Sequence, residues 1–188
     1  MVKKPVPAQA VTELAHLAGK KVGIITGSAY DGLLKKKLPQ ALPEYFNGFA
    51  DETAALKAGK IAGFLVDGPV ARDIVNRTSG VTFLKTMLSS DSYAFAFAKS
   101  QPRLRDQVNA VLNEMRGSGA LKRIEDKWFG KDEAAKALPA DQPAGGKGVL
   151  RFATNGNIAP FAYIKDGQMV GYDIEIAMAV AGKLGLKL

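Results

Sequence analysis

The chain of 188 residues lacks cysteine entirely and contains one histidine, His16. Without cysteine it can form neither disulfide bonds nor thiolate metal sites. A single histidine within a helix-like stretch cannot build a multi-histidine metal centre or supply a histidine-based catalytic triad. These absences argue against most hydrolases, and we expect no catalytic residue, metal or cofactor.

Long apolar runs are also missing, because charged or polar residues interrupt every hydrophobic stretch before it reaches membrane-spanning length. The opening residues Met1–Pro5 lack the apolar core of a secretory signal. An exported parent protein is therefore expected to carry its signal upstream or to have lost it.

Charge is unbalanced, with a net charge of +8 and a pI near 9.6. The basic residues are spread over the polar faces of predicted helices, at Lys35–Lys37, Arg103–Arg105 and Lys122–Arg123, without aromatic residues between them. Basic charge alone specifies no binding geometry. We expect a solvated surface and no nucleic-acid partner.

The first half of the chain alternates short apolar runs with helical patterns. Val22–Ile25 is β-branched and bounded by turn residues, which predicts a buried strand, and a helix is expected from Gly27 to about Lys37. This alternation over residues 20–87 predicts an open, largely parallel α/β sheet. Further strands are predicted at Tyr45–Phe49, Ile61–Val66 and Val81–Met87, with helices at Glu52–Ala58, capped by Asp51, and at Val70–Asn76.

The second half contains helices, a linker and a short β region. Residues 132–147 are rich in alanine, proline and glycine, which predicts a flexible linker. Trp128, Phe161 and Tyr163 are expected to pack in the core. Strands are predicted at Tyr93–Ala98 and Leu150–Ala153, a hairpin around Asp166-Gly167, and helices at Pro102–Arg116, Ala120–Phe129 and Tyr172–Lys183.

Three places could hold a small charged ligand. In residues 26–31 a glycine turn leads into a helix whose exposed N–H groups suit an anion, although Ser28 and Asp31 could equally form a capping box. Asp67 ends a predicted strand, where ligands of open α/β sheets bind, and would either hold an ammonium group or cap the next helix. Asn155 follows another predicted strand and would either contact a ligand or form an Asx-turn.

Four stretches of sequence each match a known family in their residues and spacing. They are GKKVGIITGSAYDGLLKK, LKAGKIAGFLVD, the segment from YAFAFAKSQ to DKWFG, and residues 148–188 with Pro-Phe and Gly-Tyr-Asp. Together they resemble the bacterial periplasmic binding proteins that deliver polar amino acids to ABC transporters. The resemblance implies an α/β, periplasmic-binding-protein-like (type II) fold in which two lobes close around one free amino acid.

The resemblance also implies roles for individual residues. Asp67 would bind the α-ammonium group of the ligand, and Thr26 and Asn155 would contact its side chain. Ile158 stands where many members carry an aromatic ring that stacks on the ligand. The start of the helix would contribute Ser28, Ala29 and Tyr30.

Departures from the family pattern restrict the kinds of amino acid that are expected to bind. Ala29 replaces a frequent threonine and loses a hydroxyl contact, while Ile158 removes the aromatic ring. Asn155 replaces a common aspartate, which argues against a ligand with a cationic side chain. A small polar or neutral amino acid is therefore expected.

The order of the segments differs from that of the family. Residues 1–98 resemble its second lobe with hinge segments at both ends, and residues 99–131 resemble the helices that return to the first lobe. After the linker at 132–147, residues 148–188 resemble the start of the first lobe. The middle of that lobe, including the arginine that clamps the ligand carboxylate, has no counterpart. We expect one complete lobe and a partial, permuted second lobe, from a tandem array or a shortened, permuted protein.

The expected partners follow from the same resemblance. They are a free amino acid and the membrane permease of an ABC transporter, with the parent protein in the periplasm or outside the cell. Exchange of the tail 148–188 between two chains would give a domain-swapped homodimer. Without the carboxylate clamp, the isolated chain is expected to bind amino acids weakly or not at all. An amino-acid-sensing module of a receptor or fused permease, or a dehydratase on the same fold, remains an alternative.

Overall fold

The computed structural model describes residues 11–140 and 145–188, which form two compact units. The first unit contains the described residues up to Ala71 together with Arg77–Asp91. The second contains Arg72–Asn76 and the described residues from Ser92 to Leu188. The hinge segment predicted at the start of the chain and residues 141–144 of the predicted linker lie outside the described residues.

The first unit is built on a parallel three-stranded sheet of β1 (Lys21–Ile25), β2 (Leu42–Phe46) and β3 (Gly63–Phe64). The strand order is β2-β1-β3, and both pairings of β1 are parallel. The predicted parallel sheet is thus confirmed, with the β-branched run that follows Lys21 at its centre. Strand β2 begins earlier in the chain than predicted, and β3 is shorter than predicted.

Helices follow each strand of this unit, and a 3-10 helix at Leu14–Leu17 precedes β1. The predicted cap of the second helix is wrong, because Gly48 occupies the N-cap position in an extended conformation and Asp51 lies in the first turn. A carboxylate in the first turn still favours the helix through the helix dipole. The helices are α1 (Tyr30–Lys37), α2 (Phe49–Lys57) and α3 (Gly68–Arg77).

The two faces of β1 are covered differently. Val22 and Ile24 are fully buried and pack in an apolar cluster that includes Leu34 of α1. The alternating side-chain direction of a strand turns Gly23 to the other face. There, a Cβ atom at Gly23 would lie only 3.0 Å from Oε1 of Glu52. The glycine therefore makes room for a buried glutamate.

Helices α4 (Pro102–Gly117), α5 (Ala120–Phe129) and α6 (Tyr172–Leu184) dominate the second unit. All three match the predicted helices to within one residue at either end. Their apolar faces meet in a cluster around Trp128, which is fully buried. The Nε1–H of Trp128 donates a 2.6 Å hydrogen bond to Oε2 of Glu175, so the polar edge of the indole is satisfied inside the core.

A small antiparallel sheet completes the second unit. It contains β4 (Asn157–Ile158), β5 (Ala162–Lys165) and β6 (Gln168–Val170), in the order β4-β5-β6. The predicted hairpin is confirmed, since Asp166 and Gly167 connect β5 and β6 with φ angles of 52° and 77°. Positive φ at both central residues is the geometry that favours the Asp-Gly pair in two-residue hairpins.

Predicted strands at Val81–Met87, Tyr93–Ala98 and Leu150–Ala153 are not formed in the structure. A strand requires a hydrogen-bonded neighbour as well as a suitable sequence. Next to the third of these segments, the described residues provide one isolated parallel bridge, between Val149 and Lys187. The three predictions are wrong, and at Tyr93–Ala98 the alternating sequence satisfies only the side-chain requirement.

Lys136, within the predicted flexible linker, is buried in the second unit. The side chain of Lys136 is 2% exposed, and its Nζ atom lies 2.6 Å from Oε1 of Glu133 and 3.4 Å from Oδ1 of Asp73. Lys165 donates 3.0 Å hydrogen bonds to the main-chain oxygens of Glu133 and Lys136. Lys136 is thus buried beside carboxylates within the predicted linker, a contact that composition alone does not predict.

Candidate functional site

The turn between β1 and α1 is closed by Ser28. Its backbone N–H and its Oγ–H both donate to the main-chain oxygen of Ile25, at 3.1 and 2.6 Å. The N–H of Tyr30 then donates to Oγ of Ser28 at 3.3 Å. Gly27 carries the positive φ of 74° that the turn requires. The alternative of a capping box between Ser28 and Asp31 is wrong, because the N–H of Ser28 donates to Ile25 and the carboxylate of Asp31 accepts from Lys35 and Tyr45.

Asp67 lies beside this turn, in the same unit. The phenol O–H of Tyr30 donates a 2.8 Å hydrogen bond to Oδ1 of Asp67. Asp67 occupies the N-cap position of α3, but its side chain makes no capping hydrogen bond to that helix. The side-chain cap considered for Asp67 is therefore wrong, and its carboxylate is held by the phenol instead.

Thr26 and Ala29 complete the helix start. The backbone N–H and the hydroxyl of Thr26 donate to the main-chain oxygen of Phe46, at 2.8 and 3.1 Å, which joins the ends of β1 and β2. Ala29 is exposed at the N-cap position of α1 and makes no side-chain cap. The first N–H groups of an α-helix have no partner within the helix, so this edge presents donors to an anion.

A second group of polar side chains, which the sequence did not single out, stands on α1. Asp31 accepts from Nζ of Lys35 and from the phenol of Tyr45, both at 2.7 Å. The ammonium of Lys35, followed by the phenol of Tyr45, lowers the pKa of Asp31, and the same carboxylate raises the pKa of Tyr45. The spacing of Asp31 and Lys35 is visible in the sequence, whereas the contact with Tyr45 depends on the fold.

Asn155 and Ile158 belong to the second unit. Asn155 is exposed in the irregular segment before β4, so it does not follow a strand as predicted. Ile158 is half-buried in β4, opposite Ala162 of β5. The structure thus brings Thr26, Ser28, Ala29, Tyr30 and Asp67 together in one unit and places the other two predicted ligand contacts in the other unit.

Backbone hydrogen bonds join the Pro-Phe motif to the Gly-Tyr-Asp motif. The N–H groups of Tyr172 and Asp173 donate to the main-chain oxygens of Pro160 and Phe161, at 3.0 and 2.9 Å. Gly171 has a φ of 136°, and a Cβ atom there would lie 2.2 Å from the oxygen of Phe161. These residues fix the start of α6. Burial raises the pKa of the Asp173 carboxyl group.

Glu52 is a buried acid that the sequence predicted only as part of a helix. The residue is fully buried, and neither carboxyl oxygen has a hydrogen-bond partner among the described residues. Removal from water raises its pKa to about 8, so the group holds its proton at neutral pH. Its position behind β1, over Gly23, could not be read from the sequence.

The edge formed by Asp67, Tyr30 and the start of α1 combines an acceptor for a cation with donors for an anion. Such a pair of charges suits the two ends of a zwitterion. No cluster of metal-binding side chains occurs among residues 11–140 and 145–188. In the same residues, no helix has the length and hydrophobicity needed to cross a membrane.

Comparison with known proteins gives a consistent match. The family model of the bacterial extracellular solute-binding proteins, family 3, matches residues 14–131 and 150–188. The L-cystine-binding protein TcyJ of Escherichia coli (strain K12) is 29% identical over 117 residues, which cover 62% of this chain and 44% of that protein. The L-arginine-binding protein of Pseudomonas aeruginosa is 28% identical over 128 residues, covering 63% and 49%.

Two solved structures are similar as well. An ancestral arginine-binding protein bound to arginine matches with a TM-score of 0.56 and 31% identity, covering 65% of this chain and 56% of that one. An ancestral arginine-binding protein bound to glutamine matches with a TM-score of 0.58 and 29% identity, covering 66% and 56%. The chain spans about half the length of the curated relatives it matches.

Proposed function

The chain belongs to the bacterial extracellular solute-binding proteins of family 3, and from that premise we propose that its parent captures a free polar or neutral amino acid for import by an ABC transporter. The observation that carries the proposal is the 2.8 Å contact between Tyr30 and Asp67 beside the helix start. The carboxylate of Asp67 would receive the ligand's ammonium group, and the N–H groups of α1 would receive its carboxylate. Binding then requires no covalent chemistry.

The chemical class of the ligand follows from the uncharged side chains around this edge. Thr26 and Ser28 use their hydroxyl hydrogens on main-chain oxygens, which leaves the oxygen of Thr26 as an acceptor, while that of Ser28 already accepts from the N–H of Tyr30. A ligand with a polar or neutral side chain matches this set better than one with a cationic side chain.

The parent architecture is also a proposal. The first unit corresponds to one complete lobe of a two-lobed binding protein, and the second to a partial lobe in permuted or tandem-fragment order. Residues 99–131 would return to that partial lobe and residues 148–188 would open it. Within such a parent, the lobes close around the ligand in the periplasm or outside the cell, and the closed form docks on the membrane permease.

The isolated chain is a weak binder under this proposal, because no arginine clamp for the ligand carboxylate accompanies the described edge. A titration of ¹⁵N-labelled chain with each of the twenty amino acids, followed by NMR, tests it. We expect a dissociation constant of about 1 mM or weaker for a polar or neutral amino acid, with shifts centred on residues 26–31 and 67.

A matched pair of variants sharpens this experiment. Asp67→Asn should abolish the shifts, whereas Asp51→Asn removes an exposed carboxylate from the same unit and should leave them intact. If none of the twenty amino acids produced shifts, amino-acid binding would be contradicted. A dissociation constant in the micromolar range would contradict the weak-binding part alone.

Each alternative to the importer predicts a different observation. A sensor module would require transmembrane segments in the surrounding gene, and a dehydratase would turn over a cyclic acid substrate. If two chains exchange the tail 148–188, sedimentation should give twice the mass of one chain at protein concentrations above the dissociation constant of the dimer. Each of these measurements separates one alternative from the importer.

A further inference from the structure

Lysines collect at one edge of the first unit. In a parallel α/β unit, the strands begin and the intervening helices end at the same edge of the sheet. Strand β1 begins at Lys21, α1 ends at Lys37 and α2 ends at Lys57. We call this the basic edge and define it by Lys20, Lys21, Lys36, Lys37, Lys57 and Lys60.

Backbone hydrogen bonds hold these strand and helix ends together. The N–H of Leu42 donates to the oxygen of Lys20, and that of Ala62 donates to the oxygen of Lys21, both at 2.9 Å. The N–H of Lys60 donates to the oxygen of Ala55 in α2, also at 2.9 Å. The basic edge is therefore a fixed feature of the sheet rather than a chance approach of surface side chains.

Carboxylates of the same unit gather at the opposite edge. Asp31 and Asp51 stand in the first turns of α1 and α2, and Asp67 precedes α3. At the basic edge, Lys21 is paired with Glu44 at 2.9 Å. Among the described residues, the other lysines of the edge form no salt bridge, and all of them except the half-buried Lys20 are exposed, so the edge keeps a positive field.

Helix dipoles account for only part of this pattern. A cation near a helix C-terminus is favourable, which explains Lys37 and Lys57. The strands carry almost no net dipole, so Lys20 and Lys21 at the start of β1 gain nothing from it. Their placement at the same edge needs another reason.

We propose that the basic edge binds the anionic surface of a lipid bilayer. Exposed lysines on flexible stems attract anionic headgroups without demanding a fixed geometry. Leu42, at the start of β2, is 53% exposed and points an apolar side chain into the same surroundings. A groove of about 210 Å³ beside Lys37, with Leu14 and Leu38 in its lining, offers further apolar contact at this edge.

A nucleic-acid partner fits these features less well. Single-stranded nucleic acids are held by aromatic side chains on which bases stack, together with cationic groups. The basic edge contains lysines without aromatic residues or arginines. An apolar side chain exposed among the lysines favours a surface with an apolar interior.

Contact with a bilayer would orient the first unit. Because the basic edge lies at the starts of the strands, the residues at their ends, including Tyr30 and Asp67, would face away from the lipid. The candidate site would then remain open to solutes while the chain stays near the membrane. This inference goes beyond the proposed function and does not depend on ligand binding.

Vesicle co-sedimentation of the full chain tests the proposal. Vesicles of phosphatidylcholine with about a quarter phosphatidylglycerol are compared with pure phosphatidylcholine, at low and high salt. Each lysine near an anionic surface contributes roughly a fivefold gain in partitioning. The triple variant Lys36→Gln, Lys57→Gln, Lys60→Gln should therefore lose partitioning roughly 100-fold, and wild-type binding should fall at high salt.

A matched triple variant in the second unit controls for net charge. Arg103→Gln, Lys131→Gln and Lys187→Gln remove the same charge from exposed positions and should leave most of the binding. Circular dichroism confirms that both variants are folded. Equal losses in the two variants would overturn the proposal, as would binding to neutral vesicles alone, or binding to single-stranded RNA without binding to anionic vesicles.

Discussion

The phenol oxygen of Tyr30 lies 2.8 Å from Oδ1 of Asp67, although 37 residues separate them in sequence. This hydrogen bond ties the turn after β1 to the start of α3. It leaves a carboxylate beside a helix start, which is the arrangement on which the proposed amino-acid site depends. Its strength can be measured without any ligand.

A double-mutant cycle on this pair gives the first prediction. Tyr30→Phe and Asp67→Ala should each lower the free energy of unfolding by about 1 kcal/mol, measured by urea denaturation. Because the two groups bond each other, the double variant should lose less than the sum, with a coupling energy of about 1 kcal/mol. Additive losses would show that the hydrogen bond contributes nothing to stability.

The buried carboxyl group of Glu52 gives the second prediction, a pH dependence. Burial raises its pKa from 4.5 to about 8 in the folded chain, so the folded state binds the proton more tightly than the unfolded state. This group's contribution to the free energy of unfolding is complete below about pH 4.5 and is lost as the pH rises through 8. We expect a loss of roughly 3–5 kcal/mol between pH 5 and pH 9.

Two variants isolate that effect. Glu52→Gln keeps the shape of the side chain but cannot ionise, so its unfolding should depend much less on pH than that of the wild type. Asp51→Asn changes the exposed neighbour and should preserve the wild-type profile. Urea denaturation followed by circular dichroism across this pH range decides between them, and parallel profiles for the wild type and Glu52→Gln would contradict the prediction.

Glu175 gives the third prediction, for the second unit. Its Oε2 accepts from the indole of Trp128 at 2.6 Å and lies 2.5 Å from Nζ of Lys127. Glu175→Gln keeps an acceptor for the indole and should cost about 1 kcal/mol, whereas Glu175→Leu leaves a buried N–H unpaired and should cost about 3 kcal/mol. Urea titrations followed by tryptophan fluorescence measure both. Equal costs would mean that the indole hydrogen bond adds nothing.

Gly171 gives the fourth prediction, a steric one. Alanine at this position would need a φ of 136° and would bring Cβ to 2.2 Å from the oxygen of Phe161. Gly167→Ala is the matched control, because Gly167 also has a positive φ but no atom within 4 Å of the added carbon. We expect thermal unfolding to show a loss of about 1 kcal/mol for Gly167→Ala and at least about 3 kcal/mol for Gly171→Ala. Similar losses would show that the close contact relaxes at little cost.

The helices and the hairpin could be predicted from local sequence, because their determinants lie within a few residues of one another. The period of apolar residues in α4 and the Asp166-Gly167 pair are examples. The strand predicted at Tyr93–Ala98 was wrong for a physical reason. Alternation describes the faces of a strand, but pairing depends on a neighbour that local sequence does not reveal.

The candidate site itself stays a prediction, and only part of its geometry could be expected from the sequence. The position of Asp67 followed from the rule that ligands of open sheets bind beyond the strand ends. Its contact with Tyr30 was not predictable, because side-chain rotamers and the twist of the sheet decide which distant groups meet. The burial of Glu52 was hidden for the same reason, since a glutamate in an amphipathic helix is usually solvated.

The extended segment before α4 has a practical consequence. Phe95 and Phe97 pack on the core of the second unit, while Ala94, Ala96 and Ala98 are exposed. In the described part of the chain, the amides and carbonyls of residues 94–97 enter no backbone ladder. Uncharged, extended backbone of this kind is a template on which other extended chains can add. Concentrated preparations will consequently tend to self-associate, and a lysine at position 96 would keep them dispersed.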